Sequence, residues 1–480
     1  MVVGELAHER DLIIIGGGPG GYNAAIRAAQ LGLSVTLIEK DQLGGVCLNK
    51  GCIPSKVFAH AGQKMAEAKH LDEIGVALGD PHFNLEQLQN YKGKVVQQLR
   101  QGVEALCKAN KVEVLKGTAS FIADDRIGVE ADHAFDVYRF KNAIIATGAT
   151  LVAPENIKID HERILNAQSV YSLEKLPSHL IVYGSDYIAL ETAMSFNAFG
   201  SAVSLVLEDD KEDFEFDASI NRELHRLLKK AKIKVYKKHR LVAAESTFDQ
   251  VNVTFESGGS EVQLQGSHLF VSCKVKANTA ELGLERIGIQ LTEDGFIHVN
   301  NQARTSLANV YAVGDVTGGQ PLAIKAIQQG KVAAESIAGE KSEVDFTFMP
   351  TIVHTVPPIA AVGLTEEEAK QQYNEIRVGQ FPLTGNGYAA ILGQKDGFVK
   401  VITDAKTDLV LGIHMIGAGA VELITSGIVG LEMVARDEDI KFPLYPHPSV
   451  NEGLLEAVEA LKTRAIHLPP NKQQGPVVSK

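Results

Sequence analysis

Apolar and polar positions fall into repeating blocks along this chain. Residues 11–15 are a short apolar run, Gly16-Gly17-Gly18-Pro19-Gly20-Gly21 follows, apolar residues recur at helical spacing through Leu31, and a second apolar run, 34–38, closes on Glu39. That pattern predicts strand, tight turn, helix, strand, acid. Residues 60–110 read as mainly helical with polar faces, and 112–121 alternates like strands. Residues 142–150 form an apolar strand that includes Thr147-Gly148. The opening pattern then recurs: strand 179–183, helix 187–199, strand 203–207. Residues 309–316 read as a further strand ending at Gly314-Asp315, with 321–326 after it.

From about residue 346 the pattern changes. Residues 348–369 are proline-punctuated and strand-like, with a capping box starting at Thr365 and closing at Glu368. Two alternating runs, 397–403 and 409–416, precede a helix over 420–435 with Leu423, Ile428, Leu431 and Val434 on its apolar positions. A last helix starts near Ser449, and 469–480 is a polar, Pro/Gly-rich tail expected to be flexible.

The first block carries chemistry. Gly16 makes the tight turn, Gly18 lets backbone approach a pyrophosphate, and Gly21 lets helix and strand pack closely. The helix N-terminus offers free amides to phosphate. Glu39, 23 residues after Gly16, is placed for a ribose. The second block keeps the layout but changes the turn to Gly184-Ser185-Asp186-Tyr187-Ile188-Ala189. Asp186 replaces the second glycine, and its carboxylate is expected to cap the helix amides itself. The strand-end position is Leu207, with the acids Glu208-Asp209-Asp210 one residue late. On a strand, a shift of one turns the side chain to the other face.

Between these blocks lies GGVCLNKGCIPSK, residues 44–56, with four residues between Cys47 and Cys52. A close cysteine pair in a reducing compartment is more often catalytic or metal-binding than structural. Zinc would want two further ligands nearby, and Cys107 and Cys273 are isolated, so redox exchange is the expected role and no metal site is expected. The pair follows Glu39 by only eight residues, so the first dinucleotide is read as FAD. Near the C-terminus, His447-Pro-x-x-x-Glu452 holds an imidazole and a carboxylate able to orient it, suited to a base acting on a thiol.

Composition narrows the class. The chain has 480 residues, enough for about three domains, with net charge -12 and no tryptophan. No long basic run is counted, so nucleic acid is a poor candidate partner. Four cysteines are too few for a secreted disulfide scaffold. The N-terminus shows no basic-then-apolar leader, and no stretch is apolar enough to span a membrane, so a cytoplasmic location is expected.

These segments together resemble the flavin disulfide reductases, and within them the dihydrolipoamide dehydrogenases, over nearly the whole chain. The resemblance implies two doubly wound dinucleotide-binding domains of Rossmann type plus a C-terminal α+β dimerisation domain. The expected division is 1–150 with 274–345 for FAD, 151–273 for NAD, and 346–468 for dimerisation. It implies FAD held by Gly16, Gly18, Gly21, Glu39, Lys56, Thr147, Gly148, Asp315 and Ala323, and NAD on Gly184, Glu191 and Glu208. Cys47 would meet the substrate, Cys52 would lie nearest the flavin, and Lys56 would pair with Glu191. His447, oriented by Glu452, would come from the other subunit of a homodimer. The reaction implied is oxidation of dihydrolipoyl groups on a carrier protein or 2-oxoacid dehydrogenase complex, with NAD+ as acceptor. The chain departs from the family at Asp186, Leu207, Pro358 and at Lys274, Val275 and Ala277 in VSCKVKANT. All of these except Pro358, which lies in the dimerisation domain, concern NAD, and they leave open a second reading: a structural subunit, or one using another electron acceptor. NADP is disfavoured because acids, not arginines, follow the second strand. The C-terminus lacks the vicinal cysteines of mercuric reductases.

Overall fold

The computed structural model describes residues 7–77, 79, 81–131, 134–208 and 210–469. Asp209 and most of the expected flexible tail, 470–480, lie outside the described residues. The chain divides into two units. One is built from the residues up to Val57, Leu85–Glu174 and Cys273–Phe346, the other from Phe58–Asn84, Lys175–Ser272 and the chain from Thr347 on.

In the first unit, His8–Ile15 pairs in parallel with Val35–Glu39 and with Ala134–Ile145, and Val310–Ala312 adds in parallel to Ala134–Ile145. Central strands buried on both faces read as continuous apolar runs, and Leu12, Ile13 and Ile14 are fully buried. Helix Pro19–Gln30 crosses over between the first two strands and packs its small residues Ala24, Ala25 and Ala28 into the core. Parallel neighbours joined by a helix are the βαβ unit that the hydrophobic pattern predicts. An antiparallel pair, Ala149–Val152 with Lys274–Ala277, joins the two distant segments of this unit.

The second unit repeats the theme. His179–Tyr183 pairs in parallel with Ala202–Val206 and with His268–Val271, and Lys234–Tyr236 adds beyond Ala202–Val206. Arg240–Ser246, Val251–Ser257 and Ser260–Gly266 then form a separate three-stranded antiparallel sheet. From Thr351 the chain forms a further antiparallel sheet of five strands. Helices Ala420–Glu432 and Glu452–Ala460 contribute Ile424, Leu431, Leu454 and Ala457 to the core beside it. The capping box at Thr365 and Glu368 forms as its spacing predicts. The helix expected through Ala435 stops at Glu432, because Val434 takes a positive φ that ends the turn. The last helix starts at Glu452 rather than near Ser449.

Lys400 is fully buried between two acids, Asp217 and Glu366, each at 2.7 Å. Such an ion needs its partners: alone in the interior it would carry an uncompensated desolvation cost.

Candidate active site

The first unit assembles a nucleotide turn and stitches the cysteine segment to it. Gly16 has φ +103° and no room for a Cβ, which would lie 2.4 Å from the Ala146 carbonyl oxygen. A Cβ on Gly21 would lie 1.8 Å from the Gly16 oxygen, so helix and strand touch there. At Gly18 a Cβ would meet nothing closer than Gly45 Cα at 4.0 Å. That space is the cradle through which a pyrophosphate can reach backbone. Helix Pro19–Gln30 starts at Gly18 without a side-chain cap, so its first amides are available to an anion. Glu39 sits at the strand end, accepting from the Gly17 amide at 2.6 Å and the Asp41 amide at 2.7 Å. The Gly44 amide donates to the Gly17 carbonyl at 2.8 Å. A Cβ on Gly45 would lie 2.8 Å from Gly18 Cα. The redox segment therefore lies against the dinucleotide turn, and glycine at both places is what permits it.

Cys47 lies in the short helix Gly45–Asn49 and Cys52 heads the helix Cys52–Ala68. Both are partly exposed free thiols in this structure. The Cys47 thiol is pushed well up, first by its hydrogen bond to Cys52, then by burial and the Cys52 charge, with Lys56 opposing. Cys52 stands at a helix start, where the free amides and the dipole favour an anion.

The remaining residues expected to hold FAD have defined settings. Thr147 and Gly148 are clasped by Asn278: Thr147 Oγ1 donates to its carbonyl at 2.8 Å, and its amide donates to Gly148 O at 3.0 Å. Asp315 lies in a 3-10 turn, Gly314–Thr317, where burial raises its carboxyl and Lys325 opposes. Lys325 is itself buried and bonded to the Gly318 carbonyl, and burial lowers its ammonium. Gln329 Oε1 accepts the Gly314 amide at 2.8 Å. Ala323 is the first residue of helix Ala323–Ile337, again without a side-chain cap. Sequence reasoning missed Asn278, Lys325 and Gln329. The i, i+4 spacing of Lys325 and Gln329 on one helix face was the available signal.

In the second unit, the turn after His179–Tyr183 differs in one decisive way. Asp186 is the N-cap of helix Tyr187–Ala198, and its Oδ1 accepts the Ala189 amide at 2.8 Å. Its Oδ2 accepts from the Ser272 hydroxyl. The Gly184 amide donates to Val206 O at 3.0 Å, just as the Gly16 amide donates to Ile38 O at 2.8 Å in the first unit. Matching these bonds sets Leu207 where Glu39 stands. Leu207 is fully buried. Glu208 follows it, with Oε2 buried and lacking a hydrogen-bond partner among the described residues. Glu191 is buried, and its Oε1 accepts the His354 amide at 2.8 Å.

The C-terminal pair also forms. His447 Nδ1 lies 2.8 Å from Glu452 Oε1, and the Ser449 amide donates to Glu452 Oε2 at 2.9 Å. Burial raises the Glu452 carboxyl, but the bonds from His447 and Ser449 outweigh it and leave it lowered. A carboxylate on Nδ1 holds that nitrogen protonated and leaves Nε2 to act as base. The imidazole is 81% exposed. Near it in sequence, Met433, Val434, Phe442 and Leu444 present apolar surface to solvent.

The glycine turn, the docked cysteine pair and the C-terminal sheet match known proteins. A model described as pyridine nucleotide-disulphide oxidoreductase matches residues 10–330, and the model of that family's dimerisation domain matches 349–458. The chain belongs to this family. It is 39% identical to the dihydrolipoyl dehydrogenase of Staphylococcus aureus over 468 residues, 97% of this chain and 100% of that protein. Over 469 residues it is 39% identical to the dihydrolipoyl dehydrogenase of Bacillus subtilis, covering 98% and 100%. The crystal structure of LpdA from Mycobacterium tuberculosis superposes with TM-score 0.87 at 29% identity, covering 94% of this chain and 99% of that one. RclA of Escherichia coli, an HOCl-induced flavoprotein disulfide reductase, superposes with TM-score 0.83 at 26% identity, covering 94% and 99%. This family member is a flavoprotein disulfide oxidoreductase whose cofactor is FAD. The expected doubly wound fold with a dimerisation domain holds. No helix among the described residues is long and apolar enough to cross a membrane.

Proposed function

We propose that this enzyme oxidises dihydrolipoyl dithiols through Cys47 and Cys52. The observation that carries this reading is the Gly44–Gly17 bond, which docks a cysteine pair onto an uncapped dinucleotide turn. FAD would be held by Gly16, Gly18, Gly21, Glu39, Lys56, Thr147, Gly148, Asp315 and Ala323. The open cradle at Gly18 and the uncapped helix starts fit such a group. When bound, FAD supplies two-electron redox chemistry to the thiol pair.

The chain's own residues carry the thiol exchange. Starting from the Cys47–Cys52 disulfide, His447 Nε2 takes a proton from one substrate thiol. The thiolate attacks Cys47 Sγ, the S–S bond breaks, and Cys52 leaves as thiolate. The second substrate thiol then attacks its own sulfur in the mixed disulfide, and its proton goes to the departing Cys47. The substrate leaves as a cyclic disulfide, with one proton on His447, one on Cys47 and the charge on Cys52. Two sulfurs are oxidised and two reduced. The raised Cys47 thiol is consistent with this end state.

His447 is proposed to serve the partner subunit's cysteines in a homodimer. The dimerisation-domain match and the exposed apolar residues Met433, Phe442 and Leu444 support that assembly. The Lys56–Glu191 pair, the division into 1–150 with 274–345, 151–273 and 346–468, delivery of substrate by a 2-oxoacid dehydrogenase complex and a cytoplasmic location belong to the same proposal. NAD+ is the family's acceptor, but Asp186 and Leu207 fit a dinucleotide poorly, so we expect weak NAD binding at Gly184, Glu191 and Glu208. Anaerobic titration with dihydrolipoamide, and separately with NADH, tests the reading through the flavin spectrum. A colourless protein, or a flavin untouched by the dithiol, defeats it.

A further inference from the structure

The chain is acidic overall, yet residues 225–240 hold eight Lys and Arg and no Asp or Glu. This corrects the expectation that no long basic run exists. The run covers the end of helix Ala218–Lys230, the turn after it and the strand Lys234–Tyr236. That strand is the edge of its sheet. Five of the eight have carboxylate partners; Arg226 and Lys230 share Asp396, for example, and Lys237 bonds Asp213. Lys229, Lys232 and Lys234 have none among the described residues. These same three line one groove of about 470 Å³, with His225, Ile233 and Val235 as its other walls.

Two general devices account for part of this. A helix C-terminus attracts cations, which suits Lys229. A charged edge strand resists edge-to-edge pairing, which suits Lys234. Neither explains why, in a chain with 59 acids to 47 bases, the three uncompensated lysines converge on one groove with an apolar wall. We propose that this groove docks an acidic, extended segment of a partner protein, its carboxylates on the three lysines and an apolar side chain against Val235. A phosphate ligand suits the groove less well. Phosphate sites use helix N-termini and converging backbone amides, and the helix end here is a C-terminus, closed at Ala231.

The test uses the FAD-loaded enzyme and a fluorescein-labelled twelve-residue peptide of Glu and Asp with a Leu at every third position, read by anisotropy. The peptide should bind at 50 mM NaCl and weaken by at least about fivefold at 300 mM, as screening of exposed charges requires. The triple substitution Lys229→Gln, Lys232→Gln, Lys234→Gln should weaken binding by about tenfold or more while dithiol oxidation stays unchanged. A control with the same charge change, Lys64→Gln, Lys370→Gln, Lys441→Gln, should weaken it by less than about twofold. Equal losses in the two triple variants would mean general attraction and overturn the proposal. So would tripolyphosphate or a twenty-nucleotide oligo(dT) displacing the peptide at lower charge concentration than unlabelled peptide does. A sedimentation shift of the enzyme alone that the first triple variant abolishes would assign the groove to a second copy of this chain, and equally overturn it.

Discussion

Replacing Asp186 with glycine tests the proposal that this residue weakens NAD binding. In the natural protein Asp186 occupies the Ala189 amide and the Ser272 hydroxyl, donors that a pyrophosphate would otherwise meet. It also sets a negative charge where the phosphates would lie. A unit pair at roughly 4 Å costs about 4 kcal/mol at an effective dielectric of about 20. Asp186 is solvent-exposed, so screening reduces that figure, and a penalty of about 2–3 kcal/mol, near two decades in affinity, is the working magnitude. Asp186→Gly should therefore tighten NADH binding by at least about tenfold. Asp186 has φ -76° and ψ 172°, an extended conformation open to any residue, and glycine is a fair N-cap, so thermal stability should fall only by a few tenths of a kcal/mol. Asp186→Asn separates the causes: it removes the charge but keeps a capping side chain. Recovery in both variants assigns the penalty to charge, and recovery only with glycine assigns it to the occupied donors. Calorimetry of NADH binding to the FAD-loaded enzyme is the assay. Ordinary micromolar binding before substitution, unchanged after it, refutes the reasoning.

Cys52→Ser should abolish the long-wavelength thiolate-to-flavin band that a dithiol produces while FAD content stays constant; a band that survives removes Cys52 from its role. His447→Gln should slow dithiol oxidation by about two decades or more with FAD content unchanged, and mixed dimers with Cys47→Ser subunits should regain part of the activity, whereas verified mixed dimers with none would place a whole site in each chain. Lys400→Met should destabilise the protein by about 3–5 kcal/mol, since Asp217 would stay buried without its counter-ion; a melting temperature within a degree of the natural protein's would show that water or Glu366 rearrangement compensates. Burial raises the Asp217 carboxyl, but Lys400 and the Glu366 and Ser219 amides outweigh it and hold it at about 2, against an ordinary 3.8. A lowered folded value means stability that is complete above about pH 4 and lost as pH falls towards 2, worth roughly 2 kcal/mol. Acid titration of Asp217→Asn should flatten stability over that window, and an unchanged slope would sink the assignment.

The first dinucleotide turn is legible in sequence because its logic is local. Gly16 takes a positive φ, Gly21 packs against the Gly16 oxygen, Gly18 leaves the space beside it open, and Glu39 closes the strand that the βαβ unit requires. The cap at Asp186 is legible for the same reason: aspartate at a strand–helix junction has few better bonds to make than the amide three residues on. The His447–Glu452 pair lies within one turn and helix start, so its spacing announces it. What stayed hidden depends on contacts between distant segments. Asn278 clasps Thr147 across 131 residues, Glu191 takes the His354 amide across 163, and Asp217 meets Lys400 across 183.

Those hidden contacts are polar, and the charged ones among them, Glu191 and Asp217 with Lys400, are taken out of water, which no periodicity marks. An apolar residue can be buried against many neighbours, so its position follows from pattern alone. A buried carboxylate or ammonium is tolerable only against one partner in one geometry, and the sequence names that partner nowhere. Asp186 shows the consequence for function. Its bond to Ala189 is readable from spacing, but its bond to Ser272, 86 residues on, is what commits the second carboxylate oxygen. A variant restoring the glycine alone removes both bonds at once, whereas Ser272→Ala leaves the cap and the charge in place and frees only the second oxygen. NADH affinity should then stay weak in Ser272→Ala, and a gain there comparable to that of Asp186→Gly would locate the obstruction in the Asp186–Ser272 link rather than in the carboxylate itself.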